Sequence, residues 1–148
     1  DGAKDVLVSA ATGGSGGTYN YALATVQGGR LHIMPTPKPV EASGMFVDGY
    51  KAIIKAGNQK AFILDLSSRK DTYDAMGVYR DGKLLKTVKV MIDPYSDVQI
   101  VHQDGTNVLQ GTQRVSGFAH YDGILDVIST WKWDGSHWDL QKLETKSL

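Results

Sequence analysis

"YDGILDVISTWKWDGSHWDLQKLE", residues 121–144, holds all three tryptophans of the chain and two Asp-Gly steps. Side chains alternate faces along a strand, so Val127, Ser129, Trp131 and Trp133 point one way. Asp-Gly is a favoured hairpin turn, because its residues tolerate the positive φ that such turns demand. A two-residue turn at Asp134-Gly135 sets Trp131 opposite Trp138. A four-residue loop over 134–137 sets Trp133 opposite Trp138 instead. All three indoles share a face in both registers, and the reverse face, with Thr130, Lys132, His137 and Asp139, is polar. That asymmetry favours a core face. The alternative is an aromatic platform for a sugar or a protein partner.

The same grammar runs outward from this hairpin. "TYNYALATV" and "RLHIMP" flank Gly28-Gly29, with Pro35, Pro37 and Pro39 closing the second strand. "AMGVY" turns at Asp81-Gly82 into "KLLKTVKVMI", where Leu84, Val88, Val90 and Ile92 share a face with period two. "DVQIVH" turns at Asp104-Gly105 into "TNVLQG", and "KAFILDL" at 60–66 reads as a short buried strand ending at "SSRKD". One stretch is ambiguous. In residues 45–57, Phe46, Tyr50, Ile53 and Ile54 fall on one helical face, whereas Gly49 and the β-branched pair favour two strands around Asp48-Gly49. The expected fold is therefore all-β: mostly antiparallel hairpins, about eight to ten strands, forming a sandwich or partly open barrel with at most one short helix at 45–57.

At 148 residues the chain suits a single domain, 1–148, with one good core. Sixteen basic and 16 acidic side chains give no net charge, so no electrostatic footprint for nucleic acid or anionic lipid exists. There is no cysteine, which removes disulfides, thiolate metal sites and cysteine nucleophiles. No apolar run is long enough for a transmembrane helix. A start at Asp1 without a leader is what a mature or trimmed chain would show. The Asp-Gly pairs at 48, 81, 104, 122 and 134 are unevenly spaced, which argues against solenoids and full propellers.

Several motifs suggest chemistry and mostly fail on context. "GGSGG", Gly13, Gly14, Ser15, Gly16 and Gly17, fits the Gly-x-Ser-x-Gly elbow in letters, with Asp93 or Asp97 and His120 following in a usable order. An elbow also needs a strand-turn-helix setting in an α/β sheet, which the hairpins contradict. The loop lacks the Lys-Ser/Thr of a P-loop and the βαβ unit of a dinucleotide site. It is a mobile loop, or a place where backbone approaches something closely. His32, His102, His120 and His137 are scattered, so no metal site is expected. Asp65, Asp71, Asp74, Asp93 and Asp97 are the carboxylates open to acid-base work, but glycosidase chemistry needs two facing across a cleft. Nothing calls for a cofactor.

"DGILDVI", residues 122–128, resembles the Asp-Gly-x-x-Asp signature of integrin-type FG-GAP repeats. That resemblance implies calcium. Here the positions that would supply further oxygens hold Phe118 and His120, which leaves Asp122 and Asp126, too few for a site of six to eight ligands. The plainer expectation is that Asp122 makes a turn and Asp126 sits at a strand edge or pairs with a lysine. The glycine-rich "ATGGSGGTYNYALATVQGGRLHIM" and the terminal "WKWDGSHWDL" resemble uncharacterised bacterial secreted or lipoprotein β domains. The resemblance implies a secreted or cell-envelope location and names no activity. The expected function is a non-enzymatic extracytoplasmic binding or structural module for a protein, peptide or glycan, with Trp131, Trp133, Trp138, Tyr19 and Tyr21 as ligand-binding candidates beside the Gly13–Gly17 loop. A small hydrolase using Ser15 or an Asp/His site is the alternative.

Overall fold

The computed structural model describes residues 4–148. Strands β1 (Lys4–Ala11), β2 (Tyr19–Gln27) and β3 (Arg30–Met34) form one antiparallel sheet in the order β1-β2-β3. A second three-stranded sheet joins β4 (Ala42–Val47), β5 (Lys51–Ala56) and β6 (Phe62–Asp65). A 3-10 turn at Ser67–Arg69 leads into the short helix α1 (Lys70–Ala75), followed by a ribbon of β7 (Tyr79–Arg80) and β8 (Lys83–Leu84). The longest strands, β9 (Met91–Gln103), β10 (Thr106–Ser116), β11 (Gly123–Trp133) and β12 (Trp138–Ser147), build a four-stranded sheet in the order β12-β11-β10-β9. The sheets do not close into a barrel; the arrangement is sandwich-like.

Register shows how the layers meet. In antiparallel pairs, residues directly opposite share a face. Val127 faces Gln113, Ser129 faces Gly111, Trp131 faces Leu109, and Gly111 faces Val98, so these residues line one side of the large sheet. The end of that side bearing Leu125, Val127 and Val115 packs on Phe46, Ala52, Ile54 and Leu64 of the β4-β5-β6 sheet, with Tyr73 of α1 and Tyr79. The other end, with Leu109, Val98 and Tyr95, packs on Leu23 of β2, while Leu7, Tyr21 and Met34 pack around this second cluster. Two small sheets thus lie side by side on one face of a long one.

The seam between them is polar and satisfied. Gln113, 2% exposed, accepts the Val40 N–H at Oε1 (2.8 Å) and donates from Nε2 to the Val40 carbonyl (3.0 Å). Its amide pairs with the proline-rich connection between the small sheets as a strand would, which is how a buried polar side chain avoids a desolvation cost. Beside it the Tyr95 ring lies over Gly111, where any Cβ would collide with the ring.

Turn chemistry explains the hairpins. Gly28-Gly29, Asp81-Gly82 and Asp104-Gly105 take positive φ at both residues and close two-residue loops. The region 45–57 is two strands, not a helix. Burial in β5 alternates strictly, and Gly49 and Tyr50 take positive φ in the three-residue loop that joins β4 to β5. The helix lies instead at 70–75, where "SSRKD" reads locally as a strand end, and its one buried side chain is Tyr73. The expected strand over 83–92 is broken as well. Leu84, Val88, Val90 and Ile92 all reach the first core, but between Leu84 and Met91 the strand is reduced to an isolated bridge of Lys89 to Met45 of β4. Thr130, expected on a solvated face, is buried between its cross-strand neighbours Gln110 and Lys142.

Candidate functional site

The tryptophan hairpin takes the four-residue loop, so Trp133 pairs with Trp138, while an irregularity after Thr130 puts Trp131 opposite Leu140. Asp134 builds that loop. Its Oδ1 accepts the backbone N–H groups of Ser136 and His137 at 2.8 Å each and the Ser136 hydroxyl at 3.0 Å. These bonds hold the Asp134 carboxyl below the usual carboxylate range, the backbone donors contributing most. All three indoles are half-buried, and Trp131 and Trp138 both pack against the second core. Trp131 donates from Nε1 to Ser129 Oγ at 2.9 Å. Trp133 and Trp138, with ring centroids 5.3 Å apart and planes at 59°, stand at the mouth of a groove. Trp138 is fixed by a 2.6 Å hydrogen bond from Nε1 to the Pro35 carbonyl, across 103 residues of chain.

That groove, about 660 Å³, runs between the first sheet and the turn end of the large one. One wall is Asp5, Leu23, Thr25, Gln27 and Met34 from β1–β3. The other comprises Ile100, His102 and the stretch Gly105–Leu109 from the β9–β10 hairpin, with Asp134 and Gly135 beside the two tryptophans. His102 Nδ1 and Asn107 Oδ1 lie 3.1 Å apart, so these two side chains orient each other. The size falls within the roughly 300–1,000 Å³ of small-ligand sites.

The remaining candidates are placed elsewhere. Tyr21 is half-buried against the second core, and burial, helped by the nearby Asp97 charge, raises its phenol above the usual range. Tyr19 stands exposed beside it, with ring centroids 6.1 Å apart. Neither lines the groove. The Gly13–Gly17 loop joins two antiparallel strands, so no strand-turn-helix elbow forms around Ser15. A Cβ on Gly16 would sit 3.2 Å from the Asp93 carboxylate. Asp93 Oδ2 lies 3.3 Å from His120 Nδ1. Among the described residues, Ser15 makes no side-chain hydrogen bond to either.

Asp122 and Asp126 are each taken by an arginine. Asp122 Oδ1 accepts from Arg69 Nη1 (2.8 Å) and the Tyr73 hydroxyl (3.2 Å), and its Oδ2 accepts the Phe118 N–H (3.2 Å). Arg114 Nε donates to Asp126 Oδ1 at 2.6 Å. Asp65 accepts the Ser67 N–H, Asp74 accepts the Tyr50 hydroxyl, and Asp97 accepts from Gln99 Nε2. Asp134, His137 and Asp139 are the group of described residues spaced to share a cation, with ligand atoms within 4.8 Å of one another. They are exposed and already bonded together: His137 Nδ1 lies 2.9 Å from Asp134 Oδ2 and Nε2 2.9 Å from Asp139 Oδ1.

A family model described as the YybI C-terminal domain matches residues 40–146, more than two thirds of the chain. The chain belongs to the YybI C-terminal domain family. No curated protein and no solved structure matches it. The YybI C-terminal match takes in β4 through β12 and leaves β1–β3 outside it. Of the two segments that carry the resemblance to secreted β domains, the tryptophan end lies within the YybI C-terminal region and the glycine-rich start outside it, and the FG-GAP resemblance of residues 122–128 finds no match. The groove straddles this boundary, with one wall on each side. Asp5, Thr25, Gln27, His102 and Asn107 carry no motif, so nothing local in the sequence singles them out.

Proposed function

We propose that the chain is a non-enzymatic extracytoplasmic ligand-binding module whose site is the groove at Trp133 and Trp138. One observation carries the reading: two half-buried indoles, one anchored to Pro35, stand over a concavity of about 660 Å³ that mixes apolar and polar groups. That is how ligand sites are made, with aromatic area for affinity and a few placed polar groups for orientation. The extracytoplasmic location rests on the likeness of the glycine-rich start and the Trp-Asp-Gly end to secreted bacterial β domains.

Tryptophan fluorescence tests the groove reading. Trp131→Ala, which removes a half-buried ring packed on the second core and outside the groove lining, is expected to cost about 2 kcal/mol. Trp133→Ala is expected to cost about 1 kcal/mol or less and to remove most of the quenching caused by added ligand. Equal destabilisation by both, with unquenchable blue emission throughout, would return the pair to the core and end the groove reading. A small hydrolase is favoured by one observation, the Asp93–His120 contact beside the Gly16 backbone. Ester turnover lost in both Ser15→Ala and His120→Ala would establish it, and absence of turnover in the intact chain would remove it.

A further inference from the structure

The lining of the groove narrows the chemistry of its occupant, an inference that rests on the binding-module reading. Among the described lining residues there is no lysine or arginine, and two are aspartates. An anionic ligand would meet the like charge of Asp5, with a counter-charge at Arg30, which shares Gln27's face but is not among the lining residues. A cationic one fares little better, because the Asp134 carboxylate is consumed inside its own turn by Ser136 and His137. Among the described residues that leaves Asp5 as the lining carboxylate without a hydrogen-bond or ion-pair partner, while Arg30 stands across from Gln27 by register.

The other polar groups suit a neutral, hydroxyl-rich molecule. Thr25 carries a hydroxyl and Gln27 an amide that donates and accepts side by side, as paired hydroxyls require, while Asn107, its Oδ1 on His102, offers its amide N–H groups. The two indoles are tilted against each other rather than stacked flat. Their electron-rich faces suit the weakly positive C–H face of a sugar ring. A peptide strand would add to a free sheet edge; along the groove β2 is paired on both sides over Leu23–Val26, whereas β10 pairs with β9 from Thr106 and with β11 only from Leu109.

We infer that the groove binds a neutral oligosaccharide, with Trp133 and Trp138 against sugar C–H faces and Gln27, Asn107 and Asp5 on its hydroxyls. The experiment titrates the ¹⁵N-labelled chain with neutral β-1,4-linked glucose and N-acetylglucosamine oligomers, an arginine-rich peptide and a sulfated oligosaccharide. The readouts are the indole N–H signals of Trp133 and Trp138 and the amides of Gly105 and Gly135. The expected result is saturable shifts at those signals with a neutral oligomer, and about tenfold weaker binding in Gln27→Ala and Trp133→Ala. Gln27 is exposed, so its variant keeps the test valid if the tryptophan variant misfolds. Groove shifts from the peptide or the sulfated sugar without any from the neutral oligomers would overturn the saccharide assignment and leave the module standing. Silence from every probe at these signals would overturn both.

Discussion

Asp122 shows how one side chain changes meaning between sequence and structure. Read locally it is a turn residue, and its N–H does bond to the Ala119 carbonyl. Its carboxylate, 6% exposed with its residue, also ties α1 to the large sheet through Arg69 and Tyr73, partners 53 and 49 positions away. Removing one member of a buried ion pair leaves the other uncompensated. Asp122→Ala is therefore expected to cost about 3 kcal/mol in a urea titration at neutral pH. Asp126→Ala is expected to cost about 1 kcal/mol or less, since Arg114, its partner, is well exposed. Equal losses would contradict this ranking. A pairing of Asp126 with a basic residue was legible, though with lysine expected; which arginine each aspartate meets was not, because nothing near them in the chain encodes it.

At the level of elements, local turn chemistry carried much of the topology. Asp81-Gly82 and Asp104-Gly105 fold as their letters suggest, whereas Asp48-Gly49 and Asp134-Gly135 enter longer loops and Asp122-Gly123 ends the longer loop of the β10–β11 hairpin, where the Asp122 carbonyl accepts the Gly117 N–H. The difference lies in packing, which sets loop length once the flanking strands find their partners. β2 and β3 show the two faces of one sheet treated differently. Leu23 is 3% exposed in the second core, whereas Leu31 and Ile33 are 61% and 74% exposed on the reverse face, with Val6 and Val8 of β1. Leu23→Ala is expected to cost about 2–4 kcal/mol. Leu31→Ser and Ile33→Ser should leave the urea midpoint within about 0.5 kcal/mol of the parent. A large loss from the serine variants would mean that this face is covered in solution.

The whole molecule is held by two apolar clusters spaced along one sheet face, and the larger is rich in phenols. Phe46, Tyr73 and Tyr79 lie with ring centroids 5.4–6.3 Å apart, and Tyr50 is 4.6 Å from Tyr79. Burial pushes the Tyr79 phenol up to about 12 and raises Tyr73 further, the Asp122 charge adding to the effect there. Unfolded tyrosines release their protons near 10. The buried phenols therefore contribute stability that is complete below pH 10 and is lost as pH rises from about 10 to 12, where the unfolded chain ionises first. A urea midpoint that falls across that window, with a shallower fall in Tyr79→Phe, is the expected result; a flat profile would contradict the burial of these hydroxyls. The sequence by itself determined the all-β class, most of the hairpins and the two possible registers of the tryptophans, because period-two alternation and positive-φ turns are properties of neighbouring residues. Only the tertiary structure decided that two small sheets share one face of a long sheet, that α1 sits at 70–75, and that Trp133 and Trp138 border a groove whose lining leaves out Trp131. Those outcomes depend on which surfaces meet across 50 to 100 residues of chain, as in the Tyr73–Asp122 and Trp138–Pro35 hydrogen bonds, and no local pattern carries that information.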